Sequence, residues 1–103
     1  MSERFEKLLA MLAREPRDPF LLYGAAMELK KEKKYLEAID YLNKTIASDP
    51  GYCYAYFQLG QVNEEAGDSE GAKKAYRDGI VAAEKKGDAH AREEIAGALM
   101  MID

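Results

Sequence analysis

One histidine and two nearby carboxylates are the residues of this sequence best suited to binding a metal ion. His90, Glu93 and Glu94 stand at helical spacing near the end of the 103-residue chain. Protein sites for transition metals need several such side chains converging on one centre. Here a single histidine is joined only by carboxylates expected to face solvent. We interpret the group as the solvated face of a helix and expect neither a metal site nor a cofactor.

The single cysteine, Cys53, does not indicate nucleophilic catalysis. Without a second cysteine it forms neither an internal disulfide nor a cysteine cluster for zinc, and the one histidine is distant in sequence. It is expected to be a small packing residue near the start of a helix. No glycine loop for phosphate binding follows a strand. We therefore predict that the protein is not an enzyme.

A run of lysines, at positions 30, 31, 33 and 34, is the feature that most suggests nucleic acid. An acidic residue, Glu32, interrupts the run, and the net charge of -4 opposes binding to a phosphate backbone. Lysines at a helix end also favour the helix dipole and the last carbonyls. No apolar stretch approaches the roughly 18 residues of a membrane span, and the N-terminus lacks a targeting pattern. We expect a soluble, cytoplasmic chain with no nucleic-acid or membrane partner.

Six amphipathic helices account for the apolar pattern of the chain, because large apolar residues recur at three- and four-residue steps. The helices are predicted to begin near residues 3, 19, 35, 52, 69 and 89. Ser2, Asp18 and Asp88 are suited to cap helix starts, as is either Asp68 or Ser69 for the fifth helix, and Gly67 is suited to cap a helix end. No segment alternates with the two-residue period of a strand, so the predicted fold class is all-α.

The fourth and fifth helices form a hairpin whose pattern also occurs earlier in the chain. Its large and small residues read Tyr56-x-x-Leu59-Gly60 and then Ala72-x-x-x-Tyr76. Small Gly60 and Ala72 are expected where the two helices cross closely. A shift of 34 residues aligns this hairpin with Leu22-x-x-Ala25-Ala26 and Ala38-x-x-x-Leu42. A helix-turn-helix unit of this period and residue order resembles the tetratricopeptide repeat.

The resemblance extends over nearly the whole chain and implies a right-handed α-α solenoid of about six helices. It divides one domain, residues 1–103, into an N-terminal half-repeat helix (2–15), two repeats (17–50 and 51–86) and a C-terminal capping helix (88–103). Asn63 stands where the family has a tyrosine. Glu84 replaces the family's terminal proline, so the fifth helix is expected to continue to Lys86.

The resemblance also implies a binding surface, since the first helices of such units line a concave groove that holds a peptide or a helix. The 34-residue register assigns six side chains to this groove: Phe20, Tyr23, Met27, Tyr54, Phe57 and Gln61. Below them, Lys30 and Lys31 come beside Glu64 and Glu65 and are expected to compensate each other's charge. The implied function is a protein-protein interaction module or scaffold whose partner is a protein or peptide.

Two alternatives stay open at this point. Aromatic residues at helical spacing also suit a helix core, and the groove or the C-terminal helix could instead hold a second copy in a homodimer. For the chain end, Met100-Met101-Ile102, we expect packing against the fifth helix, the alternative being an adaptable methionine contact to another subunit. The peptide-carboxylate clamp of one family subset is not expected, because Tyr23, Met27 and Gln58 occupy the comparable places.

Overall fold

A computed structural model of the chain describes residues 2–102, and within this range it contains six α-helices and no strand. The helices are α1 (Glu3–Arg14), α2 (Pro19–Lys31), α3 (Tyr35–Ser48), α4 (Cys53–Glu65), α5 (Ser69–Lys86) and α6 (Ala89–Met100). The all-α prediction is confirmed, and α5 continues to Lys86 as expected. Residues 1 and 103 of the predicted domain lie outside the described residues.

Polar side chains begin four of these helices as the sequence predicts. Ser2 and Asp18 accept hydrogen bonds from backbone N–H groups in the first turns of α1 and α2, at 3.0 and 2.9 Å. Asp68 and Asp88 cap α5 and α6 in the same way. Gly87 ends α5 with a φ of 75°, a left-handed conformation that glycine adopts without steric cost. Local sequence therefore defines the starts of these four helices and the end of α5.

Each helix packs against the next one in sequence, so the hairpins stack into an all-α solenoid. Two clusters of buried side chains hold the stack together. The first draws on α1, α2, α3 and α4, and the second on α4, α5 and α6. Because α4 contributes to both clusters, its position determines how the two halves of the chain meet.

The α4–α5 hairpin depends on two contacts between a glycine and a tyrosine. A Cβ atom added to Gly60 would lie 2.2 Å from the ring of Tyr76, and one added to Gly79 would lie 2.7 Å from Cβ of Tyr56. Both tyrosines are buried. The close crossing expected at Gly60 is thus present, and Gly79 provides a second one that the repeat pattern did not indicate.

A buried carboxylate fixes α1 onto α2. Glu28 accepts a hydrogen bond from Ser2 Oγ at 3.1 Å, and the side-chain nitrogens of Arg4 and Lys31 lie 3.4 and 3.7 Å from its carboxylate. A buried charge needs such partners, and removing them would leave it uncompensated. In the sequence, Glu28 looks like any solvated helix charge, so its role as an anchor for α1 was not predicted.

Replacing Gly60 by alanine should destabilise the protein, because the new methyl group must displace a buried ring. We expect the free energy of unfolding to fall by about 1–3 kcal/mol, the usual effect of overpacking a core. Urea denaturation followed by circular dichroism measures the change.

Gly97→Ala is the matched control, since Gly97 also lies within a helix but has open space around an added Cβ. This variant should gain about 0.5–1 kcal/mol, because alanine is the better helix former. Equal effects of the two substitutions would contradict the close crossing at Gly60.

Candidate functional site

The even-numbered helices stand side by side along one side of the solenoid. Between α2 and α4, Tyr23 stacks on Tyr52, which immediately precedes α4, with ring centroids 4.9 Å apart. Between α4 and α6, the hydroxyl of Tyr54 donates to Glu94 at 2.9 Å. We call this surface of α2, α4 and α6 the even-helix wall.

Counting from the first residue of each helix defines rows of equivalent positions on α2, α4 and α6. Their first residues are Pro19, Cys53 and Ala89, and the rows occupy the second, fifth, ninth and twelfth positions of each helix. In order, the rows are Phe20, Tyr54, His90; Tyr23, Phe57, Glu93; Met27, Gln61, Gly97; and Lys30, Glu64, Met100. The six predicted groove residues therefore lie together in the first three rows of α2 and α4. The sequence comparison at a 34-residue shift missed the contribution of α6, because the longer α5 displaces α6 from that register.

The aromatic rows combine packing with exposure. Phe20 is 72% exposed, whereas Tyr23, Tyr54 and Phe57 are half-buried. The ring of Phe57 lies 6.4 Å from that of Tyr54 and 6.2 Å from that of Tyr76. Edge and tilted contacts of this kind orient a ring while leaving part of it accessible. As a group, these side chains are neither fully buried in the core nor fully exposed in an open groove.

Lower on the wall, two amide groups hold the side chain of Lys30. Its Nζ donates to Oε1 of Gln58 at 2.7 Å and to Oε1 of Gln61 at 3.0 Å. Within residues 2–102, no ion pair joins Lys30 to Glu64 or Glu65. No direct ion pair among the described residues therefore links Lys30 to these carboxylates, because two amide oxygens of α4 accept from the lysine. Lys30 does lie beside Glu64 and Glu65 as expected, since the three side chains border one depression.

Tyr76 orients Glu64, because the tyrosine hydroxyl donates a hydrogen bond to the Glu64 carboxylate. Burial raises the pKa of Tyr76, and the hydrogen bond to Glu64 raises it further. The phenol therefore remains a neutral donor near pH 7 and orients the Glu64 carboxylate at the edge of the wall.

No group of three or more metal-ligating side chains assembles in the part of the chain that the structure describes. His90 is exposed and its Nε2 lies 2.6 Å from Glu94 on the same helix, but no group of three metal-ligating side chains forms there. Cys53 is buried, and burial raises the pKa of its thiol, whereas a nucleophilic cysteine needs a lowered one. Among the described helices, none is long and apolar enough to cross a membrane.

The end of α6 departs from expectation. Met100 and Met101 are 84% and 85% exposed, so the predicted packing against α5 is wrong for both. Ile102, the third residue of this chain end, does pack against the second core cluster, to which α5 contributes, and Leu99 packs against the same cluster. Met100, the last residue of α6, and Met101, which follows it, are directed to solvent.

Comparison with known proteins shows similarity along nearly the whole chain. The chain is 29% identical over 98 residues to a TPR repeat-containing protein of Pseudomonas aeruginosa, covering 95% of this chain and 93% of that protein. A solution structure of a Bordetella parapertussis protein is 28% identical, with a TM-score of 0.82 over 97% of this chain and 87% of that one. A tetratricopeptide repeat domain protein of Salinibacter ruber is also 28% identical, with a TM-score of 0.77 over 82% and 86% of the two chains. No protein-family model matches the chain.

Replacing Tyr76 by phenylalanine keeps the ring above Gly60 but removes the hydroxyl that binds Glu64. At neutral pH we expect the variant to lose about 1–2 kcal/mol of unfolding free energy. Because the pKa of Tyr76 is raised in the folded protein, the unfolded chain ionises this residue first as the pH rises above about 10. The stabilising contribution of the hydroxyl is then lost from the wild type.

The deficit in unfolding free energy of Tyr76→Phe relative to the wild type should accordingly become smaller between neutral and alkaline pH. Urea denaturation of both proteins on either side of about pH 10 measures it. A deficit that stays constant across this range would contradict the raised pKa.

Proposed function

Because this chain belongs to the tetratricopeptide-repeat family, whose members serve as protein-protein interaction modules, we propose that it binds a segment of a partner protein on its even-helix wall. The module is non-enzymatic in this proposal. The segment is a peptide or a helix that lies across α2, α4 and α6. Phe20, Tyr23, Met27, Tyr54, Phe57 and Gln61 form the contact surface.

The exposure of Phe20 is the observation that carries this proposal. Its ring is 72% exposed, and it shares the wall with three half-buried aromatic side chains. Exposed apolar side chains grouped on one face of a soluble protein typically mark an interaction surface. A partner that covered Phe20 together with its neighbours Tyr23 and Tyr54 would bury apolar area that water otherwise contacts.

The neighbouring rings are already oriented before a partner arrives. Tyr23 is stacked on Tyr52, and Phe57 is packed beside Tyr76. Binding to side chains that are fixed in advance costs little conformational entropy. These rings thus suit the role of rigid anchors for apolar side chains of the partner.

Two further residues would adapt the wall to the shape and backbone of the partner. Met27 is half-buried, and its flexible thioether can fill irregular space. The amide oxygen of Gln61 accepts from Lys30, which leaves the amide N–H groups free to donate to a partner carbonyl. Apolar anchoring and polar positioning therefore occur within one surface.

Self-association is the second candidate function, favoured by the exposure of Met100 and Met101 at the C-terminal end of α6. A second copy would then cover the end of α6 or the aromatic rows. Sedimentation of the peptide-free chain over a wide concentration range distinguishes the candidates. A monomer leaves the wall open for a partner, whereas a dimer dissociated by Phe57→Ala supports self-association.

Phe20→Ala should weaken partner binding, because it removes the most exposed anchor without disturbing the core. Suitable probes are peptides selected by phage display on the wild-type protein from a random 16-residue library. Fluorescence polarisation should give a dissociation constant at least about tenfold higher for the variant, as for an interface hot spot.

Leu36→Ala is the matched control, since Leu36 is 81% exposed but lies on α3, outside the even-helix wall. Its dissociation constants should stay within about twofold of the wild type, a change of under 1 kcal/mol. Peptides that lose affinity for the Leu36 variant and not for the Phe20 variant would overturn the assignment of the wall.

A further inference from the structure

We propose that the partner segment is positively charged where it crosses α4 and α6. This inference rests on the proposed function, because it concerns the ligand of the same even-helix wall. The apolar rings are concentrated on α2 and α4, whereas the carboxylates are concentrated on α4 and α6. A single bound segment therefore meets an aromatic region followed by an acidic one.

The carboxylates in question belong to Glu64, Glu65, Glu93 and Glu94. Two of them have no partner of opposite charge. Glu65, the last residue of α4, and Glu93, the fifth residue of α6, are exposed. Neither forms an ion pair within the described range of residues 2–102. Their negative charges are available to a ligand.

The other two carboxylates are held mainly by tyrosine hydroxyls, which do not neutralise them. Glu64 accepts from Tyr76, and Glu94 accepts from Tyr54 at 2.9 Å. Glu94 also lies 2.6 Å from His90, which compensates its charge only when the imidazole is protonated. The hydrogen bonds fix both carboxylates in place, so a cationic ligand would find them already oriented.

The basic residues near these four carboxylates do not neutralise their negative charge. Lys31 is paired with buried Glu28 at 3.7 Å, and Arg92 of α6 is paired with Glu84 of α5 at 2.9 Å. Lys30 is left as one positive charge on the wall. It borders a depression of about 300 Å³ whose other lining residues are Gln61, Glu64 and Glu65.

A lysine or arginine of the partner would be stabilised by both the carboxylates and the aromatic rings of this surface. It could pair with Glu65 or Glu93, and it could lie over the rings of Tyr54 or Phe57 in a cation–π contact. The same field repels acidic peptides and nucleic acid. A second copy of this chain, with its net charge of -4, is also a poor match. Charge complementarity therefore favours a basic, partly apolar segment of another protein.

The composition of the phage-selected 16-residue peptides provides the first part of the test. Peptides whose affinity depends on Phe20 should carry more lysine and arginine than aspartate and glutamate. Their binding should also weaken as salt is added, since salt screens exposed charges.

A charge-reversed protein provides the second part. The double variant Glu65→Lys/Glu93→Lys should bind these peptides about tenfold more weakly, as expected for reversing two exposed pairs. The control Glu6→Lys/Glu37→Lys changes the net charge equally on α1 and α3, at exposed residues that also lack ion pairs. It should leave the affinity within about twofold, under 1 kcal/mol.

The outcomes separate this inference from the proposed function. Phe20-dependent peptides without an excess of positive charge, or with unchanged affinity for the Glu65/Glu93 variant, overturn the inference and leave the wall as the binding site. If no selected peptide depends on Phe20, the proposed function itself fails, and the inference fails with it.

Discussion

The packing of the Tyr76 ring against Gly60 is the contact on which the rest of this structure depends. Any side chain at Gly60 would occupy the space of the ring, and Gly79 provides the same room for Tyr56 on the opposite helix. These complementary pairs bring α4 and α5 together at close range. Because α4 also contributes to the core shared with α1, α2 and α3, the crossing sets the geometry of the whole solenoid.

The same tyrosine links the core to the surface proposed to bind a partner. The ring of Tyr76 lies beside Phe57, and its hydroxyl holds the carboxylate of Glu64. One buried residue thus orients both an aromatic anchor and a charge on the even-helix wall. Changes in hairpin packing are therefore expected to alter the binding surface without any direct contact with a partner.

Features that depend on local spacing were predictable from the sequence. Helix starts at Asp18 and Asp88, the 34-residue pattern and the crossing at Gly60 follow from residue types at fixed steps along the chain. The partners of charged side chains were not predictable in this way. Buried Glu28 accepts from Ser2, the cap of α1, and Lys30 donates to two amides of α4, because these partners come from other elements and depend on how the helices pack.

A crystal structure of the chain with one of its selected peptides tests the central claim most directly. The account predicts a peptide lying across α2, α4 and α6, with an apolar side chain against Phe20 or Phe57 and a basic one near Glu93. The chain has another depression, of about 440 Å³, lined by residues of α3, α4 and α5 that include Ile39, Leu59 and Lys74. A peptide bound in that depression, with the even-helix wall empty, would contradict the account.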